Sequence, residues 1–114
     1  MTPPTPSSLA ALQQVVREFR DARNWRQFHS PKNLSMSIAI EAAELMEHFQ
    51  WLTLDEAASL AQTDPVARQA IAEELADVLI YCLSLADILE YDLAEIITAK
   101  LAKNAEKYPV KREA

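Results

Sequence analysis

Glu41-x-x-Glu44 and Glu74-x-x-Asp77 are two acid pairs set in apolar surroundings. Ile38, Ile40, Leu45 and Met46 flank the first pair, and Leu75, Val78, Leu79 and Ile80 flank the second. On a helix, residues three apart share a face with Cβ atoms ~5–6 Å apart, so each pair presents both carboxylates in one direction. Acids turned inward in this way repel one another and resist desolvation unless a cation lies between them. Hard oxygen donors of this kind suit Mg2+, with Mn2+ as the alternative, and a magnesium ion held by few carboxylates commonly grips substrate phosphates. The same spacing also fits two solvated acidic stripes that hold nothing.

Hydrolysis of a nucleoside triphosphate requires metal ligands, cations for phosphate oxygens, a group to activate water and a surface for the base. Lys100, Lys103 and Lys107 recur at three- to four-residue spacing with Asn104 among them. They form either a phosphate-facing stripe or a basic face favoured by the nearby helix C-terminus. Trp25, Phe28, His29, Trp51 and Tyr81 could stack on a base or bond to its edge, or simply fill a core; the first three fall in an irregular segment of the kind that often carries binding residues. His48 follows Glu44 by four residues, which misses the Glu-x-x-His spacing of a di-iron bundle. No serine, threonine or cysteine sits in a nucleophile elbow, and the two histidines are not spaced for zinc. Asp87, inside an apolar run, reads as a paired structural acid.

The elements that must position these groups read as helices. The 114 residues contain no glycine, which disfavours hairpins, phosphate-cradling loops and dinucleotide-binding turns, and implies an all-α fold. A chain of this length makes one domain, residues 8–114, behind a Pro-, Ser- and Thr-rich arm over residues 1–7 expected to be loose. A first helix spans about Ser8 to Arg23, with Leu9, Leu12, Val16 and Phe19 on its apolar face and Arg17, Glu18, Arg20 and Asp21 on the other. Ser30-Pro31 starts a second, running to about Gln50. Thr53-x-x-Glu56 has capping-box spacing and opens a short third. Asp64-Pro65 opens a long fourth that reaches about Glu90, and Asp92 caps a last one stopped by Pro109.

The fourth helix is apolar nearly all round from Val78 to Leu89, with Val78, Leu79, Cys82, Leu83, Leu85 and Ile88 expected to be buried. A bundle of four to five short helices covers such a surface only in part, so a homo-oligomer is expected. The net charge of −6 argues against a nucleic-acid polymer as partner while leaving a free nucleotide with its metal compatible. The single cysteine, Cys82, permits no internal disulfide. No signal-peptide core or membrane-spanning run is evident, and the expected location is cytoplasmic.

Several motifs together carry a resemblance. Trp25, Phe28-His29-x-Pro31-Lys32-Asn33-Leu34, Glu41-x-x-Glu44-Leu45, Phe49-Gln50-Trp51, Glu73-Glu74-Leu75-x-Asp77-Val78-Leu79-Ile80-Tyr81, Lys100, Asn104 and Lys107-Tyr108-Pro109-Val110 closely resemble the MazG-like all-α nucleotide pyrophosphohydrolases, within them the dCTP pyrophosphatase branch. The likeness spans about Ala10 to Lys111. It implies a homo-tetramer, a dimer of dimers, with magnesium held by Glu41, Glu44, Glu74 and Asp77. It also implies cleavage of a nucleoside triphosphate between the α- and β-phosphates, giving monophosphate and pyrophosphate. By position it assigns Lys100 and Asn104 to phosphate oxygens, and Trp25, Trp51 and Tyr81, with His29 nearby, to the base and sugar pocket. Ala43 departs from the glycine that relatives often carry before the second glutamate.

The expected function is therefore pyrophosphohydrolysis of dCTP or modified cytosine analogues in nucleotide-pool cleansing. The rivals are the same chemistry on other bases, and a non-catalytic helical oligomerisation module whose acid pairs are surface stripes.

Overall fold

A short polar side chain opens each of the five helices. Ser8 Oγ accepts from the Ala11 amide at 3.1 Å and starts α1, Leu9–Ala22. Ser30 Oγ accepts from Asn33 N at 3.1 Å and, with Pro31 in the first turn, starts α2, Pro31–Glu47. Thr53 and Glu56 bond reciprocally to each other's backbone and open α3, Leu54–Thr63. Asp64 accepts from Val66 and Ala67 ahead of α4, Pro65–Ile88, and Asp92 accepts from Glu95 ahead of α5, Leu93–Lys107. Such caps satisfy amide donors that the first turn leaves open, each contributing about 1 kcal/mol.

The computed structural model describes residues 4–111, and these contain no strand. Of the expected arm, residues 1–3 lie outside the described residues, and residues 4–7 form no helix. The second helix stops at Glu47, where turns carry the chain through Gln50 and Trp51, and a single 3-10 turn, Arg26–Phe28, occupies the irregular segment. Without glycine, the left-handed residues that end α1 and α4 are Asn24, φ 57°, and Glu90, φ 60°. Asparagine tolerates that conformation, whereas for a glutamate it costs about 1–2 kcal/mol.

Helices α2 and α4 pack against each other most extensively, α1 and α3 lie on α4, and α5 touches mainly α1. The buried apolar residues are few: Leu34 of α2, 1% exposed, and Leu83 and Ala86 of α4, with Leu83 at 5%. Val78, Cys82, Leu85 and Ile88 are half-buried as part of the expected apolar surface. Leu79 is not buried within the chain: it stands 53% exposed, beside Leu75 and Ile80. The radius of gyration, 17.4 Å, exceeds the ~13 Å of a closed domain of this length. The accessible surface, 9257 Å², is likewise well above the ~6,300 Å² expected for the mass.

One expectation for α1 is corrected. Arg20 does not face solvent; it is 1% exposed, and Gln13 is also buried. The inward line of α1 runs through Leu9, Gln13, Val16 and Arg20, while Leu12 and Phe19 stay exposed. The reason is a charge partner on α4. Asp87 accepts from Arg17 Nε at 2.6 Å, and its other oxygen lies 2.9 Å from Arg20 Nη1. Arg20 Nε also donates to Asp21 at 3.0 Å. Burial opposes the Arg20 charge, but the two carboxylates more than offset it.

Leu83→Arg should abolish cooperative folding, because an unpaired buried charge costs several kcal/mol against a typical stability of ~5–15 kcal/mol. A circular dichroism melt of that variant matching the wild type would show that Leu83 is not a core residue.

Candidate metal and nucleotide site

The packing of α2 on α4 sets the two acid pairs against each other. Glu41, Glu44 and Glu74 each bring one carboxylate oxygen into a group whose members all lie within 4.8 Å of one another. Glu44 is exposed, whereas Glu41 and Glu74 are half-buried, and Oε2 of each is buried without a hydrogen-bond partner. Burial, followed by the Glu74 and Glu44 carboxylates beside it, pushes the Glu41 carboxyl up to about 7. Converging oxygens, orphaned buried acceptors and mutual repulsion are what a hard divalent cation would satisfy, so the donor set fits Mg2+ or Mn2+.

Asp77 is not in that group. It lies one turn beyond Glu74 on α4 and lines an adjoining cavity of about 210 Å³ with Val16, Phe19, Arg20, Trp25, His29, Ile80, Tyr81 and Ser84. Glu74, Asp77, Tyr81 and Ser84 recur at three- and four-residue steps, so one stripe of α4 leads from the acids to the cavity. The aromatic groups are linked in series: Phe19 meets Trp25 edge-on at 5.7 Å between centroids, and His29 lies 6.3 Å from both Trp25 and Tyr81. His29 Nδ1 is 3.1 Å from Ser84 Oγ. Burial, and then the Arg20 charge, lower the pKa of His29 below that of an ordinary histidine, so the ring is neutral at physiological pH.

The structure thus brings together two of the sequence-derived groups: the acids Glu41, Glu44 and Glu74, and the set Trp25, His29, Tyr81 and Asp77. It does not bring Trp51, Lys100 or Asn104 to either within the chain. Trp51, in the turn before α3, is 86% exposed. Lys100 and Asn104 line a shallow depression formed with Ile96, Ile97 and Leu101 of α5 alone. Sequence reasoning missed Arg20 and Ser84. No spacing rule marks them, since each is one polar residue in a helix, and only the placement of α1 and of the Trp25–His29 segment against α4 shows their environment.

A profile of the MazG-like family matches residues 36–114. The chain belongs to the MazG-like family. This MazG-like chain is 39% identical to dCTP pyrophosphatase 1 of Mus musculus over 103 residues, 90% of the chain and 60% of that relative. It is 39% identical to dCTP pyrophosphatase 1 of Homo sapiens over 102 residues, 90% of the chain and 59% of that protein. The chain therefore spans about three-fifths of the length of these relatives. Its fold is similar to the crystal structure of a pyrophosphatase from Archaeoglobus fulgidus, with a TM-score of 0.82 and 40% identity, covering 96% of this chain and 100% of that one.

The crowded acids give a stability test in chelator. Folded Glu41 keeps its proton up to about pH 7, while an unfolded glutamate releases it near 4.5. Folding therefore takes up a proton between these values. The resulting stabilisation is complete below the lower value and is lost as pH rises through the upper one. The melting temperature of the metal-free protein should fall from about pH 5 to about pH 8, and Glu41→Gln should flatten that slope. A pH-independent wild-type melt over this range would mean that the carboxylates are not crowded in solution.

Proposed function

We propose that the protein is a divalent-metal-dependent nucleoside triphosphate pyrophosphohydrolase that acts on dCTP or modified cytosine analogues, yielding monophosphate and pyrophosphate for nucleotide-pool cleansing. The observation that carries this reading is the group of three converging carboxylates one helical turn from an aromatic cavity. The names of the similar proteins, dCTP pyrophosphatase 1 and an archaeal pyrophosphatase, support it.

Glu41, Glu44 and Glu74, with Asp77 next on the same stripe, would hold Mg2+, or Mn2+ in its place. Bound there, such a cation would offset phosphate charge and favour ionisation of the attacking water. The chain's own residues divide the remaining work. Trp25 and Tyr81 flank His29 and give the base an aromatic wall, a type of contact worth ~1–3 kcal/mol per stacked base but indifferent to base identity. His29 supplies a neutral polar edge in that wall. Lys100 and Asn104 serve phosphate oxygens, and Trp51 closes the base side.

These last three residues reach the site in a homo-oligomer, read here as a tetramer built as a dimer of dimers, in which a second copy presents α5 and the turn before α3. Exposed apolar side chains on every helix, among them Ile40, Leu54, Leu79, Ile97 and Leu101, support such an assembly. No helix among the described residues is long and apolar enough to cross a membrane, and the reading places the enzyme in the cytoplasm with a nucleotide as its ligand. The reading as a non-catalytic oligomerisation module leaves the orphaned oxygens of Glu41 and Glu74 unexplained.

The deciding experiment is pyrophosphate release from a panel of triphosphates with and without chelator. Activity should require the metal, and dCTP should exceed dGTP in kcat/KM. Glu44→Gln and Asp77→Asn should each lose about 100-fold or more while keeping the helical fold. Full activity in either variant removes the site from this location, and equal kcat/KM for dCTP and dGTP removes the cytosine assignment alone.

Shared sites give a second check. Glu44→Gln and Lys100→Ala proteins should each be inactive, yet regain activity when unfolded together and refolded, because mixed assemblies restore some intact sites. No recovery in mixed oligomers would place Lys100 and the acids in one and the same chain.

A further inference from the structure

Ser84 is 2% exposed, in the interior of α4, and its Oγ lies 3.1 Å from His29 Nδ1. A mid-helix hydroxyl ordinarily disposes of its proton on the carbonyl three or four residues back. Ser59 does so to Asp55 at 3.2 Å, and Thr63 to Ser59 at 3.1 Å. Ser84 makes no such bond, and His29 is its one hydrogen-bond partner among the described residues. A buried hydroxyl that keeps its proton unbonded loses its hydration without compensation. Donation of that proton to Nδ1 would supply the missing bond.

We propose that Ser84 is a positioning residue for base recognition: it donates to Nδ1 of His29, fixes the ring in the Nε2–H form, and so makes His29 a hydrogen-bond donor toward the nucleobase. The inference rests on the proposed nucleotide reading for what Nε2–H meets, but not for the tautomer itself. In neutral imidazole, occupation of Nδ1 as acceptor requires the proton on Nε2. The imidazolium, which would instead donate from both nitrogens, is disfavoured by burial and by Arg20, held in place by Asp21 and Asp87. A donor suits cytosine, whose N3 and O2 are adjacent acceptors, whereas N3 of thymine or uracil carries a proton and repels it. A site built to bond one edge discriminates more strongly than an apolar wall does.

Two-bond nitrogen–proton NMR spectra of the 15N-labelled full chain at pH 7 read the tautomer directly, with His48→Gln assigning the remaining ring. Wild-type His29 should show the Nε2–H pattern. Ser84→Ala should give a mixed or exchanging pattern and raise KM for dCTP about tenfold, with most of the loss in KM rather than kcat. Ser84→Thr, which keeps the hydroxyl, should restore both. An Nδ1–H or doubly protonated ring in the wild type overturns the inference, as does a Ser84→Ala protein with unchanged tautomer and KM. Failure of the nucleotide reading shows separately, as a wild type that hydrolyses no triphosphate; the recognition role then falls with it, whatever the tautomer.

Discussion

Like-charge crowding between α2 and α4 is the constraint on which the rest of the arrangement depends. The packing of the two helices brings Glu41 and Glu74 together, with Glu44 close enough for all three to offer oxygens within 4.8 Å of one another. In a medium less polar than water, such a group cannot hold its full negative charge, and either a proton or a cation must relieve it. Burial, and then the neighbouring Glu74 and Glu44 carboxylates, push the Glu41 carboxyl up to about 7. Helix packing thus holds three acids together at some cost to the stability of the protein.

A second polar arrangement, two arginines of α1 paired with Asp21 and with Asp87 of α4, joins these two helices. Arg20 is buried against Asp87 and Asp21, and its field reaches His29. The acid cluster thus lies at one end of the stripe, and His29, bonded to Ser84, at the other. The Arg17–Asp87–Arg20 contacts also tie α1 to α4, so the packing that buries Gln13 and Arg20 builds one side of the cavity.

The open shape of the single chain follows from the same economy of elements. Among the described residues three apolar ones, Leu34, Leu83 and Ala86, are buried, while Leu79 and Ile80 of α4 and Ile97 and Leu101 of α5 stand exposed. The groups assigned to phosphate, Lys100 and Asn104, lie on the helix least engaged with the others.

Local signals determined much of this protein. The caps at Ser8, Ser30, Thr53, Asp64 and Asp92 place all five helices, because capping and proline geometry act within four residues. The acid pairs and the aromatic segment were legible for a similar reason, since i,i+3 spacing alone decides that two carboxylates share a face. Their meeting across helices was not. Spacing cannot say that Glu41 and Glu74 confront each other while Asp77 turns to the cavity, because that depends on the rotation of α4 against α2. Nor could hydrophobic periodicity place Arg20 inside: it scores an arginine as a surface residue, and the carboxylates that offset its burial are the adjacent Asp21 and, 67 positions later, Asp87. Ser84 and its bond to His29 are likewise a product of tertiary structure, joining residues 55 apart whose individual types carry no signal. Short-range rules fix which elements form and which residues share a face; the charge of a buried group is settled by what the packing of those elements brings against it.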